Sequence, residues 1–481
     1  MRGAIATGNP HTTEAARLVL EAGGNAVDAA IAACLASFIA EPLLASAGGA
    51  GILCTSIPGN EPVVVDFFPA MPGLGRKTHP NERDFRAVDI DFGRATQTFH
   101  VGRASAAAPM ALSGLALASK RLGRMPLREV CAPAIQLAQL GASLTAESAG
   151  VFSLLWPINR LDDATTAAYS DTSNPPVSGF RKAMPGHAEL LTAFSEEGAC
   201  PRYFQEGILT NFGPQSGGSL TPEDLACEPR LVAPRRAELS GHTLLLSPRL
   251  GGRLLALIAQ TLAASAPQQR EAELLRIASA CRAGSRAKGD ERALGSTTHI
   301  SVVDGNGGAA SVTLTNGEGC GYLVPGTDVQ LNNFCGEEDL HPGGFFVHPP
   351  GTPLPSMIAP TIAHGPSSDG TKGQVLALGS GGANRIRSVV AQALYRVVSL
   401  GEPLESAILA PRVHAEEDAA WFEALGVDTD TARALLAQEF PRIFDFPERA
   451  FFFGGVHAAR KNGEDFDAFA DPRRGGKAVL L

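Results

Sequence analysis

GSTTHISVVDGNGGAASVTLTNG, residues 295–317, contains two alternating runs of residues on either side of a glycine-rich turn. The runs are residues 297–304 and 309–315, and Gly305-Asn306-Gly307-Gly308 lies between them. Turn residues of this kind between two alternating runs predict a β-hairpin.

The two faces of this hairpin separate best when Thr297 lies opposite Thr315. In that register Ile300 faces Val312, so that one face is apolar and the other carries hydroxyl groups. A shift by one residue places Ile300 opposite Thr313 and mixes the faces, so we predict the first register. By itself, the segment is also compatible with an ordinary hairpin whose hydroxylated face meets solvent.

The composition is that of a globular protein. The 481 residues suffice for one large domain or two to three smaller ones, and 44% are apolar and 19% charged. The net charge of −9 and the lack of a basic run argue against binding to nucleic acid or to an anionic membrane. Interspersed helix and strand patterns with antiparallel hairpins predict an α+β fold in which helices cover sheets.

The chain shows no export signal and no membrane-spanning pattern. Polar residues follow the early Arg2 without an apolar stretch. Residues 26–40, AVDAAIAACLASFIA, are apolar, but they fall short of the roughly 18 residues that a span needs, and Asp28 interrupts them. This segment predicts a buried helix, and we expect a cytoplasmic protein.

The cysteines and histidines follow no metal-binding pattern. The eight cysteines include no CxxC pair, which favours free thiols over a zinc site or a disulfide framework. The chain also lacks GxSxG, the phosphate-binding loop of nucleotide hydrolases, and HExxH. Residues 379–382, Gly-Ser-Gly-Gly, could hold a phosphate before a helix, but such loops carry little specificity. We expect no metal and no cofactor.

Thr297 is a candidate nucleophile of a kind that needs no neighbouring histidine. A hydroxyl group attacks poorly unless a base removes its proton. An α-amine titrates near pH 8 and is a good general base, and cleavage of the Ser296–Thr297 bond would give Thr297 both groups. In the predicted register the Thr315 hydroxyl could polarise the Thr297 oxygen, and a Gly-Gly turn could supply an oxyanion hole.

Several segments, in this order and over nearly the full length, resemble the γ-glutamyltransferase family, in a divergent bacterial-type branch. They are GNPHTTEAARLVLEAGGNAVDAAIAA (8–33), EP (41–42), AGGAG (47–51), STTHISVVD (296–304), LNN (331–333), PSMIAPTI (355–362), LGSGGANRIR (378–387) and APRVH (410–414). The resemblance implies an N-terminal-nucleophile hydrolase with a four-layer αββα sandwich. It also implies a precursor that cleaves itself before the threonine of TTH and stays one domain of two pieces, residues 1–296 and 297–481.

The resemblance implies catalytic roles for residues of the hairpin and of a glycine turn. Thr297 would be the nucleophile and the new N-terminus after cleavage at Ser296, and Thr315 would orient it and assist the cleavage. Gly381-Gly382 matches the oxyanion hole of the family. Gly382-Ala383 fits equally well, which would place Ala383 against the substrate.

The resemblance also implies substrate-binding residues. Ser356 matches one of two serines that hold the substrate carboxylate. Glu337 falls where the family has an acidic residue for the substrate α-amine. The substrate-binding asparagine of the family is displaced here and corresponds to Asn316 or Gly317.

Other positions depart from the family pattern near the substrate. Phe68 stands where the family has a carboxylate-binding arginine after DF, and Pro355 replaces the first of the paired serines. The acidic segment reads NNFCGEEDL, residues 332–340, in place of the common NNxMDDF. Because the nucleophile hairpin is intact, these departures imply retained chemistry on an altered acyl group.

Two classes of function follow. The first is a self-processing enzyme that attacks a γ-glutamyl or related amide, forms an acyl-enzyme and passes the acyl group to water or an amine, with an acylase acting on a non-glutamyl amide as the close alternative. The second is an unprocessed, non-catalytic binding protein. The expected partner is a small acyl amide, with no nucleic acid and no membrane. The sequence determines neither the acyl group nor the oligomeric state.

Overall fold

Two antiparallel β-sheets stacked face to face form the centre of the protein. The computed structural model describes residues 2–76, 82–91, 96–268, 270–286, 297–341, 343–366 and 373–481, apart from the side chain of Asp339.

The strands of the described residues are β1 (Gly3–Thr7), β2 (Ala50–Ser56), β3 (Val63–Phe67), β4 (Arg86–Asp91), β5 (Thr96–Val101), β6 (Ala142–Ser143), β7 (Arg181–Lys182), β8 (Arg230–Val232), β9 (Arg235–Leu239), β10 (His242–Leu246), β11 (Thr297–Asp304), β12 (Ala309–Thr315), β13 (Leu323–Val324), β14 (Val329–Gln330), β15 (Thr361–Gly365), β16 (Gln374–Gly381), β17 (Val413–Ala415), β18 (Ala419–Glu423), β19 (Arg442–Phe446), β20 (Gly455–Asn462), β21 (Asp465–Ala470) and β22 (Lys477–Leu480).

The α-helices are α1 (Pro10–Glu21), α2 (Ala26–Ala40), α3 (Ala111–Leu122), α4 (Leu127–Leu140), α5 (Ala146–Asn159), α6 (Asp163–Tyr169), α7 (Pro185–Glu197), α8 (Arg202–Phe212), α9 (Pro222–Leu225), α10 (Leu250–Ala263), α11 (Arg270–Arg286), α12 (Arg385–Leu394), α13 (Leu404–Leu409) and α14 (Thr429–Leu436).

The layers are arranged helix, sheet, sheet, helix. The first sheet has seven strands in the order β22-β1-β11-β12-β2-β3-β8, and the second has six in the order β21-β20-β16-β15-β10-β9. Strands β11 and β12 pack against β16 and β20 across the interface between the sheets. Helices α1, α2 and α3 cover the outer face of the first sheet, and α10 and α12 cover that of the second. The predicted α+β fold and its four αββα layers are confirmed.

Helix α2 is the apolar segment that the sequence predicts to be buried. Every one of its residues is buried. Its polar residue Asp28 belongs to a capping box, because the Asp28 carboxylate accepts the Asn25 N–H at 2.9 Å while the Asn25 side chain accepts the Asp28 N–H at 2.9 Å. Among the described helices, none is long and apolar enough to cross a membrane. The cytoplasmic location stays a prediction.

The register of the β11–β12 hairpin is the predicted one. Thr297 pairs with Thr315 and Ile300 with Val312. The alternative in which the hydroxylated face meets solvent is wrong, because both strands are buried along their whole length. The second sheet covers that face, and its carbonyl groups accept the hydroxyls: Ser311 Oγ donates to the Leu378 oxygen at 3.0 Å.

Burial between and beside the sheets keeps a set of histidines neutral. Burial lowers the pKa to about 4 for His187, His341, His414 and His457. Burial also lowers the pKa of His299 well below its ordinary value. In the unfolded chain the rings titrate near pH 6.5. Each of the four rings with a pKa near 4 therefore stabilises the fold above pH 6.5 by up to about 3 kcal/mol, and this contribution is lost as the pH falls toward 4; His299 acts in the same direction.

We therefore expect acid to destabilise the folded protein. Glu41 acts in the opposite sense, since burial raises its pKa to about 7 and its contribution is lost as the pH rises through that value. Burial also raises the pKa of Asp28, which acts in the same sense as Glu41, and the five histidines should outweigh these two carboxyl groups. The urea midpoint is expected to fall markedly from about pH 7.5 to about pH 5. A midpoint that stays constant or rises over this range would show that these rings are not held neutral.

Candidate active site

Thr297 is the first residue of β11, where the hairpin reaches the edge of the sheet interface. Its side chain is 3% exposed and lines a cavity between the two sheets. The predicted cleavage-site residue Ser296 lies outside the described residues. Thr315 lines the same cavity from the end of β12 and accepts the Gly317 N–H at 3.1 Å through Oγ1. The hairpin therefore brings together the two threonines that the sequence selects.

A glycine turn after β16 approaches the Thr297 backbone closely. A Cβ atom on Gly381 would lie 2.0 Å from the Thr297 carbonyl oxygen, so no side chain fits there. Gly382 has φ +117° and Ala383 has φ +47°, both in the left-handed region that disfavours side chains. Ala383 lines the cavity. The strained backbone at Ala383 marks this turn as a candidate functional element.

Two N–H groups of this turn are free to bind a substrate oxygen. Within the described part of the chain, the N–H groups of Gly382 and Ala383 donate to no protein acceptor. The next N–H groups close the turn, since Arg385 donates to the Gly382 oxygen and Ile386 to the Ala383 oxygen, each at 3.0 Å. Of the two oxyanion pairs left open by the sequence, this pattern favours Gly382-Ala383.

The cavity is lined mainly by apolar side chains. Its described apolar lining consists of Phe68, Phe334, Leu340, Met357, Ile358, Ala383 and Ile386. Its described polar lining consists of Thr297, Thr315, Glu337 and Ser356. Glu337 is the one acidic residue among these lining residues, which include no arginine or lysine.

The predicted substrate-binding residues are only partly brought together. Glu337 and Ser356 line the cavity, and Ser356 Oγ accepts the Ile358 N–H at 3.3 Å. Asn316 is buried outside the described lining, and its side-chain amide donates to the backbone carbonyl oxygen of Gln330 at 3.5 Å. The position beside Glu337 is instead Gly317, where a Cβ would lie 2.5 Å from the Glu337 carboxylate.

Phe68, which the sequence resemblance places where the family has an arginine, lies in the cavity wall. Its ring packs against Phe334 with 5.1 Å between centroids. Behind it, the Arg249 guanidinium lies 5.2 Å from the Phe68 ring centroid and is held by the Asp66 carboxylate at 3.0 Å and the Leu354 oxygen at 2.6 Å. This cation therefore belongs to a separate ion pair.

Two arginines that follow the glycine turn, Arg385 and Arg387, also donate hydrogen bonds to protein acceptors. Arg385 Nε donates to the Phe452 oxygen at 3.0 Å. Arg387 is fully buried and donates to the Glu416 carboxylate at 2.9 Å. Neither lies among the described cavity-lining residues.

Sequence reasoning missed two charged residues that contact the start of β11. Thr298 Oγ1 donates to the Glu41 carboxylate at 3.0 Å, and Arg474 Nη1 donates to the Thr297 carbonyl oxygen at 3.4 Å. Glu41 lies in the EP segment, to which the sequence assigns no role, and Arg474 gives no sequence signal. Burial lowers the pKa of Arg474 to about 10, and Asp471 and Glu41 oppose this shift.

The arrangement suits attack on a carbonyl carbon. The hydroxyl groups of Thr297 and Thr315 and the backbone of Ala383 line one cavity, and the Ala383 N–H group donates to no described acceptor. Among the described residues, no group of three histidine, cysteine or acidic side chains could hold a metal ion.

Comparison with known proteins identifies the family of this chain. The family model described as Gamma-glutamyltranspeptidase matches residues 12–273 and 258–481. The Acylase ACY 1 proenzyme of Pseudomonas sp. strain SE83 is 27% identical over 494 residues, covering 91% of this chain and 86% of the relative. The Glutathione hydrolase proenzyme of Pseudomonas aeruginosa is 25% identical over 556 residues, covering 100% and 94%.

The fold is also that of a solved structure. The cephalosporin acylase from Bacillus halodurans superposes with a TM-score of 0.79 over 99% of this chain and 95% of that one, at 20% identity. The match of the family model covers nearly the whole chain. The chain therefore belongs to the γ-glutamyltranspeptidase family, whose members are amidohydrolases of the N-terminal-nucleophile type.

Proposed function

We propose that the protein is a self-processing acylase or acyltransferase in which Thr297 attacks the carbonyl carbon of a small amide. The observation that carries the proposal is that Thr297, Thr315 and Ala383 line one cavity, at a turn whose Gly382 and Ala383 N–H groups donate to no described acceptor. The proposed chemistry uses no metal and no cofactor.

In the proposed processing step, Thr297 Oγ attacks the carbonyl carbon of Ser296. The bond from that carbon to the Thr297 nitrogen breaks, and the hydroxyl proton ends on the departing nitrogen. Water then hydrolyses the resulting ester, which leaves a carboxylate on Ser296 and both a hydroxyl and an α-amine on Thr297. Thr315, paired across the hairpin, assists by orienting the attacking oxygen.

The two proposed pieces would remain one domain, because both sheets join them. In the first sheet, β11 from residues 297–481 hydrogen-bonds to β1 from residues 1–296. In the second sheet, β15 of the later piece pairs with β10 of the earlier piece. A cut before Thr297 removes one peptide bond and none of these ladders.

In the proposed turnover, the α-amine of Thr297 takes the proton of its own hydroxyl as the oxygen attacks the substrate amide. The N–H groups of Gly382 and Ala383 hold the negative oxygen of the tetrahedral intermediate. The amine leaving group departs with the proton, and an ester to Thr297 remains. Water or a second amine then attacks this ester and restores the free hydroxyl.

The cavity favours an acyl group without a free α-carboxylate. A buried carboxylate needs a charge-assisted partner, and the described lining offers Phe68 where an arginine would stand. Glu337 can accept a hydrogen bond from a cationic amine, and the remaining wall suits apolar groups. We therefore propose an apolar or amine-bearing acyl group, which places the activity nearer to an acylase than to a glutathione-specific enzyme.

The first test is the covalent state of the active protein. We expect intact-mass analysis to show two chains, residues 1–296 and 297–481, with threonine at the N-terminus of the second. Activity should be present against at least one member of a panel of acyl anilides. Active material that contains only the uncut chain would contradict the proposal, and uncut, inactive material would favour a binding protein.

A further inference from the structure

We propose that Arg474 and Glu41 are positioning residues that clamp the first two residues of β11 from opposite directions and hold the nucleophile against the oxyanion turn. The inference rests on the proposed role of Thr297. Arg474 and Glu41 belong neither to the nucleophile and oxyanion turn nor to the substrate-binding positions described above.

Arg474 contacts both halves of the site. Its Nη1 donates to the Thr297 carbonyl oxygen at 3.4 Å. A Cβ built on Gly381 would lie 3.4 Å from Nη1, and one built on Gly382 would lie 3.6 Å from Nη2. One buried guanidinium therefore lies against the nucleophile's backbone and beneath the turn at the same time, and it links their positions.

The backbone of Arg474 is fixed by a network of buried charges. Arg474 ends a short 3₁₀ turn, Pro472–Arg474, whose cap is the Asp471 carboxylate. That carboxylate also accepts from Arg412 at 2.8 Å, and Arg473 donates to Glu423 at 2.5 Å. Because these partners are almost fully buried, the turn cannot shift without exposing or separating paired charges.

Glu41 holds the next residue of the strand from the other face. One of its carboxylate oxygens accepts from Thr298 Oγ1 at 3.0 Å, and the other accepts from Thr12 Oγ1 at 3.2 Å. Gly8 makes room for the first contact, because a Cβ there would lie 2.7 Å from both the Glu41 oxygen and Thr298 Oγ1. The carboxylate thus ties β11 to α1 and α2, behind the nucleophile.

A clamp of this kind matters most when the residue is a chain end. After the proposed cut, Thr297 has no preceding peptide to restrain it, while the reaction requires its oxygen within a few tenths of an ångström of the attack geometry. A displacement of about 1 Å in such a site costs roughly 10²-fold in rate. The positive charge beneath Gly381-Gly382 also raises the local potential where the oxyanion forms.

The test compares variants of the full chain in self-cleavage rate, kcat and KM on one acyl anilide. Arg474→Met, which keeps the length of the side chain, should lower kcat by about 10²-fold while KM changes less than about threefold. Arg474→Lys should recover part of the loss, because it restores the charge without the second N–H contact. Glu41→Gln and Thr298→Val should lower kcat about tenfold.

Thr12→Val is the matched control, since it removes the other hydrogen bond to the same Glu41 carboxylate without touching β11. We expect Thr12→Val to keep kcat within about twofold of the parent. Unchanged kcat in folded Arg474→Met, a loss confined to KM, or equal losses in Thr12→Val and Thr298→Val would overturn the clamp. If Arg474→Met does not fold, the comparison of Thr298→Val with Thr12→Val decides alone.

These outcomes are separable from a failure of the proposed function. An inactive, uncut parent protein, or a Thr297→Ala variant with full activity, would contradict the role of Thr297 itself. An active, cleaved parent whose clamp variants behave like the parent would contradict only the clamp.

Discussion

Thr297→Ala is expected to abolish self-cleavage and to reduce turnover by about 10⁴-fold or more. The substitution removes the attacking oxygen, and without the cut no α-amine is available as a base. Thr297 is the hydroxyl residue at the edge of β11 that shares a cavity with the oxyanion turn, so no neighbour takes over its position. Intact mass and single-turnover kinetics on the purified variant measure the two effects separately.

Two further variants serve as comparisons for Thr297→Ala. Thr297→Ser keeps a hydroxyl and should keep part of both activities. Thr315→Ala should slow both steps less severely than Thr297→Ala, because Thr315 orients the nucleophile and does not attack. Normal cleavage in Thr297→Ala would assign the attack to Ser296 or Thr298 instead.

Glutathione is expected to be a poor substrate, by about 10²-fold or more in kcat/KM, relative to an amide with an apolar acyl group. The physical reason is the wall at Phe68, which packs on Phe334, since the described lining includes no arginine or lysine to pair with an α-carboxylate. The measurement is steady-state kinetics of the parent protein on a panel of γ-glutamyl and other acyl anilides, together with glutathione. A higher kcat/KM for glutathione than for every other amide would refute the argument.

Phe68→Arg tests the same argument by adding the cationic side chain that position 68 lacks. It should raise γ-glutamyl activity and leave apolar substrates unchanged or worse, whereas the control Phe68→Leu should raise neither. The gain will be limited by Arg249, whose guanidinium lies 5.2 Å from the Phe68 ring and would repel a second cation. Equal γ-glutamyl activity in the Arg and Leu variants would show that the missing charge is not what limits γ-glutamyl binding.

The hairpin was accessible from sequence because its information is local. A period of two residues and a glycine-rich turn determine both its register and the pairing of Thr297 with Thr315. The burial of its hydroxylated face was not accessible in this way, since the covering strands β16 and β20 lie far along the chain. The four layers and the oxyanion turn were predicted from the family resemblance and not from any periodicity in the sequence.

The site shows the same division. Glu337 and Ser356 were found from sequence because their segments match the family, and both line the cavity. Asn316 lies outside the described lining, and Gly317 is the residue whose Cβ would lie beside Glu337. Glu41 and Arg474 meet at β11 from the two ends of the chain, so no local pattern links them. The choice between Gly381-Gly382 and Gly382-Ala383 needed the hydrogen-bond partners of each N–H group.

Strands from residues 1–296 and from residues 297–481 pair in both sheets, which affects how the protein folds and how it is inactivated. If the proposed cleavage occurs, the uncut precursor would reach its fold as a single chain, in which β1 and β11 find each other at a concentration set by the tether between them. The cleaved form would lose that tether, so recovery from unfolding would become a second-order encounter of two fragments. The lifetime of the mature protein would then be governed by its unfolding rate, and each molecule would in effect be assembled once.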